Sequence, residues 1–236
     1  PGIAERWETT ADGLSWTFYI RKGVKFHNGD PLTAEDVKFS LERSMAPDAK
    51  SGYAGLLRDE IKSMEIADPY TLKINLKVLS PYFQYDVSPF IGNVGLVTPK
   101  AYILKEAGEK FADQTKLLNT KPVGSGPWKF VRQVRGDRIE YEAVQGHWRT
   151  TPKFKRLILM LVPESSVQVA MLRAGEVDIT TITGETKPQV EAAGFRVVGN
   201  PAAGVGAIVF YATYYPEVVG KPIANPKAMP STAARP

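Results

Sequence analysis

A mixed α/β fold, rich in antiparallel strands, is what this sequence predicts, and three stretches carry the prediction. In "LSWTFYIR", Leu14, Trp16, Phe18 and Ile20 alternate with Ser15, Thr17, Tyr19 and Arg21, the period of two that a strand with one buried face requires. In "YTLKINLK", Tyr70, Leu72, Ile74 and Leu76 alternate with Thr71, Lys73, Asn75 and Lys77, a one-sided pattern that suits an antiparallel sheet better than a buried parallel one. Between them, Thr33 and Asp36 have the spacing of a capping box, and Val37 and Leu41 give the helix they open one apolar face.

The remaining elements follow in order. Asn28-Gly29 supplies a tight turn, since both residues tolerate positive φ. "TPKAYILKEAG" predicts a helix with Thr98 as N-cap, Pro99 at its first position and Gly108 as its stop. "GPWKFVRQVRGDRIEYEAV" reads as two strands around Gly136-Asp137. "KRLILMLVPESSVQVAMLRAGEVDIT" reads as strand, helix, Gly175 stop and strand, a βαβ-like unit. The last stretch, "VGKPIANPKAMPSTAARP", is too rich in Pro and too poor in large apolar residues for an amphipathic helix, and an irregular tail is expected.

Composition narrows the function classes. The chain has 236 residues, of which 43% are hydrophobic, enough for a substantial core. Its apolar runs fall far short of the roughly 18 residues that cross a bilayer. Without cysteine there is no disulfide, thiolate nucleophile or Cys-ligated zinc. The net charge of +5 gathers in residues 128–156, where Lys129, Arg132, Arg135, Arg138, Arg149, Lys153, Lys155 and Arg156 largely alternate with apolar residues. This is the pattern of a sheet's wet face, and no helix-turn-helix, RNP or finger pattern accompanies it, so no nucleic-acid partner is expected.

Catalytic patterns are nearly absent. His27 and His147 lie 120 positions apart, each beside an aromatic residue, and a hairpin or packing role is expected of both. "GSGPW" breaks the spacing of G-x-S-x-G at Pro127, and "GVGAIV" lacks the third glycine of a dinucleotide fingerprint. Glu35-Asp36 suits the first turn of a helix, where the dipole favours carboxylates. An enzyme is not expected, nor a cofactor or metal.

Four ordered segments carry a resemblance. "PGIAERWETTADGLSWTFYIRKGVKFHNGDPLTAEDVKFSLER" (1–43), "GSGPWKF" (124–130), "RGDRIEYEAVQGHW" (135–148) and "LRAGEVDI" (172–179) resemble the signature segments of the family 5 extracellular solute-binding proteins, the peptide- and nickel-binding receptors of ABC importers. The resemblance implies a type II periplasmic-binding-protein-like fold, two lobes closing on a peptide or other small solute and delivering it to an ABC transporter permease. It implies an extra subdomain of the first lobe over residues 1–96, the core of that lobe over 97–180, and the start of the second lobe from 181 to 236. A periplasmic or extracellular location follows, with membrane association only through the permease or a lipid anchor. Since the sequence opens at Pro1 with no leader, the export signal is expected outside it. With much of one wall absent, the chain alone is expected to bind solute weakly.

By the same resemblance, Tyr53 in "KSGYAGLL" matches an aromatic turned toward the ligand; core packing is the alternative. The turn of Gly124, Ser125, Gly126, Pro127 and Trp128 matches a segment near the cleft floor; a tight turn with Trp128 buried beneath the sheet is the alternative. Phe210-Tyr211 stands where members carry Phe-Asn on a cleft-lining strand, so a side-chain hydrogen bond there is in doubt. Ile91 falls where nickel-binding relatives hold an arginine, which does not favour an acidic-chelate ligand. A structural lobe that binds no solute itself is the competing function.

Overall fold

The computed structural model describes residues 2–49, 53–88 and 94–199, in two compact units, residues 1–163 and 164–236. The fold is mixed α/β with antiparallel sheets, as the alternating patterns predict.

In the first unit, β1 (Ala4–Thr9), β2 (Ser15–Ile20), β3 (Ile61–Asp68) and β4 (Thr71–Leu76) form an antiparallel sheet in the order β1-β2-β4-β3. Trp16 pairs with Ile74 and Phe18 with Leu72, so the apolar residues of the two central strands share one face. Trp16, Phe18, Ile20, Leu72, Ile74 and Leu76 are all buried there. Phe83, from the short helix α3 (Phe83–Asp86), completes an aromatic triangle, its ring 5.9 Å from Trp16 and 6.3 Å from Phe18. Each such side chain contributes about 1.5–3 kcal/mol by leaving water. The polar face carries a row in which Ser15 Oγ donates to Asn75 Oδ1 at 2.9 Å and Asn75 Nδ2 donates to Ser63 Oγ at 2.9 Å. Leu14, expected with the buried set, is 36% exposed. It precedes the first paired residue of β2, where the chain is still leaving the turn at Gly13, and so never joins the inner face.

Helix α1 (Ala34–Ser44) packs over this sheet, and its capping box is the one predicted. The Thr33 backbone N–H donates to Asp36 Oδ2 at 2.9 Å and the Thr33 hydroxyl to the same oxygen at 3.0 Å. The other oxygen, Asp36 Oδ1, accepts the Lys100 N–H at 2.9 Å, at the start of α4 (Lys100–Ala107). One buried carboxylate thus serves two helix N-termini. This explains why Thr98 is not the N-cap of α4: Pro99 is, and the Thr98 N–H donates to Ser40 Oγ of α1 at 2.9 Å. Gly108 ends α4 with φ +67, as predicted. Helix α2 (Ala54–Glu60) leads into β3, and α5 (Phe111–Thr120) is tied to α1 by Arg43, which donates to Thr115 Oγ1 at 2.6 Å and lies 4.6 Å from the Phe111 ring centre.

A second antiparallel sheet has the order β5 (Trp128–Val134), β6 (Arg138–Ala143) and β7 (Arg156–Met160), with the turn at Gly136. In the second unit, α6 (Ser165–Ala174) stops at the left-handed Gly175, and α7 (Lys187–Ala192) follows. The strand expected after Gly175 is not formed: no strand lies in residues 176–199, so the βαβ-like unit is a strand and a helix only.

Candidate functional site

The turn at Gly124–Gly126 joins the two sheets of the first unit, and two histidines from distant parts of the chain bond to it. On the β2–α1 side, the His27 N–H donates to Gly124 O at 2.8 Å, and the His27 ring approaches Gly126 O through Nε2 at 2.8 Å. A carbonyl only accepts, so Nε2 carries the hydrogen. On the side beyond β6, His147 Nε2 donates to Ser125 O at 3.0 Å, and Trp148 Nε1 donates to the same carbonyl at 3.0 Å. Ser125 is buried between them. An open cleft of about 490 Å³ runs beside the turn, lined among others by Phe26, His27, Gly126, Lys129, His147 and Trp148. On its rim Lys129 pairs with Glu142 at 3.1 Å. Burial pushes the His27 imidazole below its ordinary value, helped by Lys129 and His147 and opposed by the bond to Gly126 O and by Glu142.

The predicted site residues divide accordingly. Ser125 and Gly126 line the cleft, and Gly124 supports it through His27. Trp128 is half-buried at the start of β5, its ring 4.8 Å from that of Phe154. Tyr53 stands at the start of α2, 42% exposed, and does not line this cleft. Phe210, Tyr211 and Ile91 lie outside the described residues. His27 and His147, expected in a hairpin or packing role, each bond to a backbone carbonyl of this turn. Their meeting at one turn is a feature the sequence reading missed, since nothing in the chain links positions 120 apart; the aromatic neighbour of each was the one available signal.

The basic stretch forms a charged sheet face. Arg132 Nη2 and Arg138 Nε donate to Glu140 Oε1 at 2.7 and 2.8 Å, and Arg156 lies 3.5 Å from Oε2. The hydrogen bonds from Arg132 and then Arg138 hold the Glu140 carboxyl down at about 2, against its partial desolvation. Among the described residues no helix is long and apolar enough to cross a membrane, and no three His, Cys, Asp or Glu side chains cluster as metal ligands.

Comparison with known proteins follows the same lines. The chain matches the family described as bacterial extracellular solute-binding proteins, family 5 Middle, over residues 1–228. It is 32% identical to heme-binding protein A of Haemophilus influenzae over 76% of this chain and 35% of that protein. To di/tripeptide-binding protein 2 of Pseudomonas aeruginosa it is also 32% identical, over 76% of this chain and 36% of that one. Among solved structures, NikZ from Campylobacter jejuni in complex with Ni(L-His) superposes with a TM-score of 0.71 at 30% identity, covering 81% of this chain and 36% of NikZ. The periplasmic binding protein DppA from Helicobacter pylori in complex with peptide STSA gives 0.68 at 29% identity, covering 81% of this chain and 40% of that one. The chain spans about a third of the length of the curated relatives it matches. On the match over nearly its whole length, this chain belongs to the family 5 bacterial extracellular solute-binding proteins.

Proposed function

We propose that the chain is part of the substrate-binding component of an ABC importer, contributing the first lobe of a receptor that captures a peptide or other small solute between two lobes and delivers it to a membrane permease. It is a binding protein and not an enzyme, and it works outside the cytoplasmic membrane, meeting that membrane through the permease or a lipid anchor. The observation that carries the reading is the family match over residues 1–228, and relatives named for di/tripeptides and solved with peptide STSA favour a peptide. Residues 1–96 would be the extra subdomain, 97–180 the core of the first lobe, and 181 onward the start of the second.

In this reading Tyr53 and the Gly124–Trp128 turn face the solute. Exposed Tyr53 presents a ring and a hydroxyl, the combination that packs on a ligand while keeping one polar contact. Titration calorimetry of the 236-residue chain with di- and tripeptides tests the reading: weak binding is expected, reduced further by Tyr53→Ala by about 1–3 kcal/mol, the loss of one pocket aromatic. Equal affinity of the variant would remove Tyr53 from the site. A second reading, a lobe that meets a partner chain and binds no solute itself, draws on the exposed apolar residues Ile158, Leu159, Met160 and Leu161; absence of binding across all peptides favours it.

A further inference from the structure

We propose that His27 and His147 are paired positioning residues that hold the Gly124–Gly126 turn only as neutral imidazoles, so that acid loosens the turn from both sides. The geometry of each ring uses both nitrogens in opposite senses. His27 donates through Nε2 to Gly126 O at 2.8 Å, while its Nδ1 accepts the Gly124 N–H at 3.4 Å. His147 donates through Nε2 to Ser125 O at 3.0 Å, while its Nδ1 accepts the Thr150 N–H at 3.1 Å and the Arg149 N–H at 3.2 Å. Only the neutral Nε2–H tautomer does both. A second proton on either ring would set Nδ1–H against backbone N–H groups, replacing an attraction with a clash of donors on each side of one turn.

The surroundings do not compensate that added charge. Facing His27 are Lys129 of β5, His147, and Lys121 and Tyr102 across a second opening of about 410 Å³, with Lys25 on the near side. Glu142 is the one facing carboxylate among these groups, and Lys129 holds it at 3.1 Å. On the far side, Arg21 lies 5.6 Å from the Trp148 ring centre. With its folded-state value below the ordinary 6.5, His27 contributes stability above that value and loses it as pH falls through the lower one.

The inference goes beyond solute capture and is tested without a ligand. In the 15N-labelled 236-residue chain, imidazole nitrogen shifts at neutral pH should report the Nε2–H tautomer for both rings. Between about pH 8 and pH 5, the range in which an imidazole titrates, protection of the Gly124 and Thr150 amides against exchange should fall by about fivefold, the equivalent of losing one net hydrogen bond. In the His27→Gln and His147→Gln double variant, the side-chain amides can still donate to the turn but no longer titrate, so the acid step should vanish. An Nδ1–H tautomer or an imidazolium at neutral pH, protection that ignores pH, or an acid step retained by the double variant would each overturn the inference. Should the double variant fail to fold, the tautomers and exchange of the unmodified chain decide alone.

Discussion

The four-stranded and three-stranded sheets of residues 1–163 solve the same problem with different materials. In the first, α1 and Phe83 close the apolar face, and Leu72, Ile74 and Phe83 are at most 1% exposed. In the second, Leu159 of β7 is 50% exposed, and the opposite face is tied together by Arg132, Arg138 and Arg156 converging on Glu140. The first sheet is held by burial, which is non-directional and strong; the second by directional charge pairs that water weakens. The turn proposed to face the solute sits at the junction, bonded by His27 from the side of the first sheet and by His147 and Trp148 from the side of the second.

Three substitutions would break or sharpen this contrast. Phe83→Ala removes the ring that packs on both Trp16 and Phe18, and should cost about 3–5 kcal/mol in urea unfolding; a loss below about 0.5 kcal/mol, the size of an exposed change, would mean the core is not closed there. Trp128→Ala should cost less, about 1–2 kcal/mol, because the ring is half-buried and leans on the 56% exposed Phe154; a loss matching that of Phe83→Ala would show the second sheet to be as well packed as the first. Glu140→Gln should have the smallest effect on the melting temperature, and added salt should shrink it. Its pH dependence has a definite sign. The carboxyl lies at about 2 in the fold against an ordinary 4.5, so its contribution is present above 4.5 and is lost as pH falls through about 2. A difference between variant and unmodified chain that grew on acidification would contradict the pairing.

How much was legible in the sequence follows the same divide. Local rules found β2, β4, the Thr33–Asp36 box, the Gly136 turn and the Gly108 and Gly175 stops, because each is decided by residues a few positions apart. Strands β1 and β3 were not found: β1 reads "AERWET" with its side chains largely in solvent, and β3 is an edge strand with two register shifts, so neither keeps a clean period of two. Thr98 was misassigned for a different reason, since its helix is capped by a carboxylate 64 positions earlier. At the candidate site the glycines of the turn were visible as a motif, whereas the histidines that hold it were visible only as two isolated residues.

Asp36 also joins contacts of very different separation along the chain. Its bonds to Thr33 close within four residues, at little cost in loop-closure entropy. Its bond to Lys100 spans 64 positions and closes a far longer loop, at a greater entropic cost. A single side chain is therefore both a local cap and a long-range latch, and Asp36→Asn, which keeps one acceptor oxygen and sets an NH2 donor in place of the other, should slow the docking of α4 in stopped-flow refolding more than it slows the formation of α1.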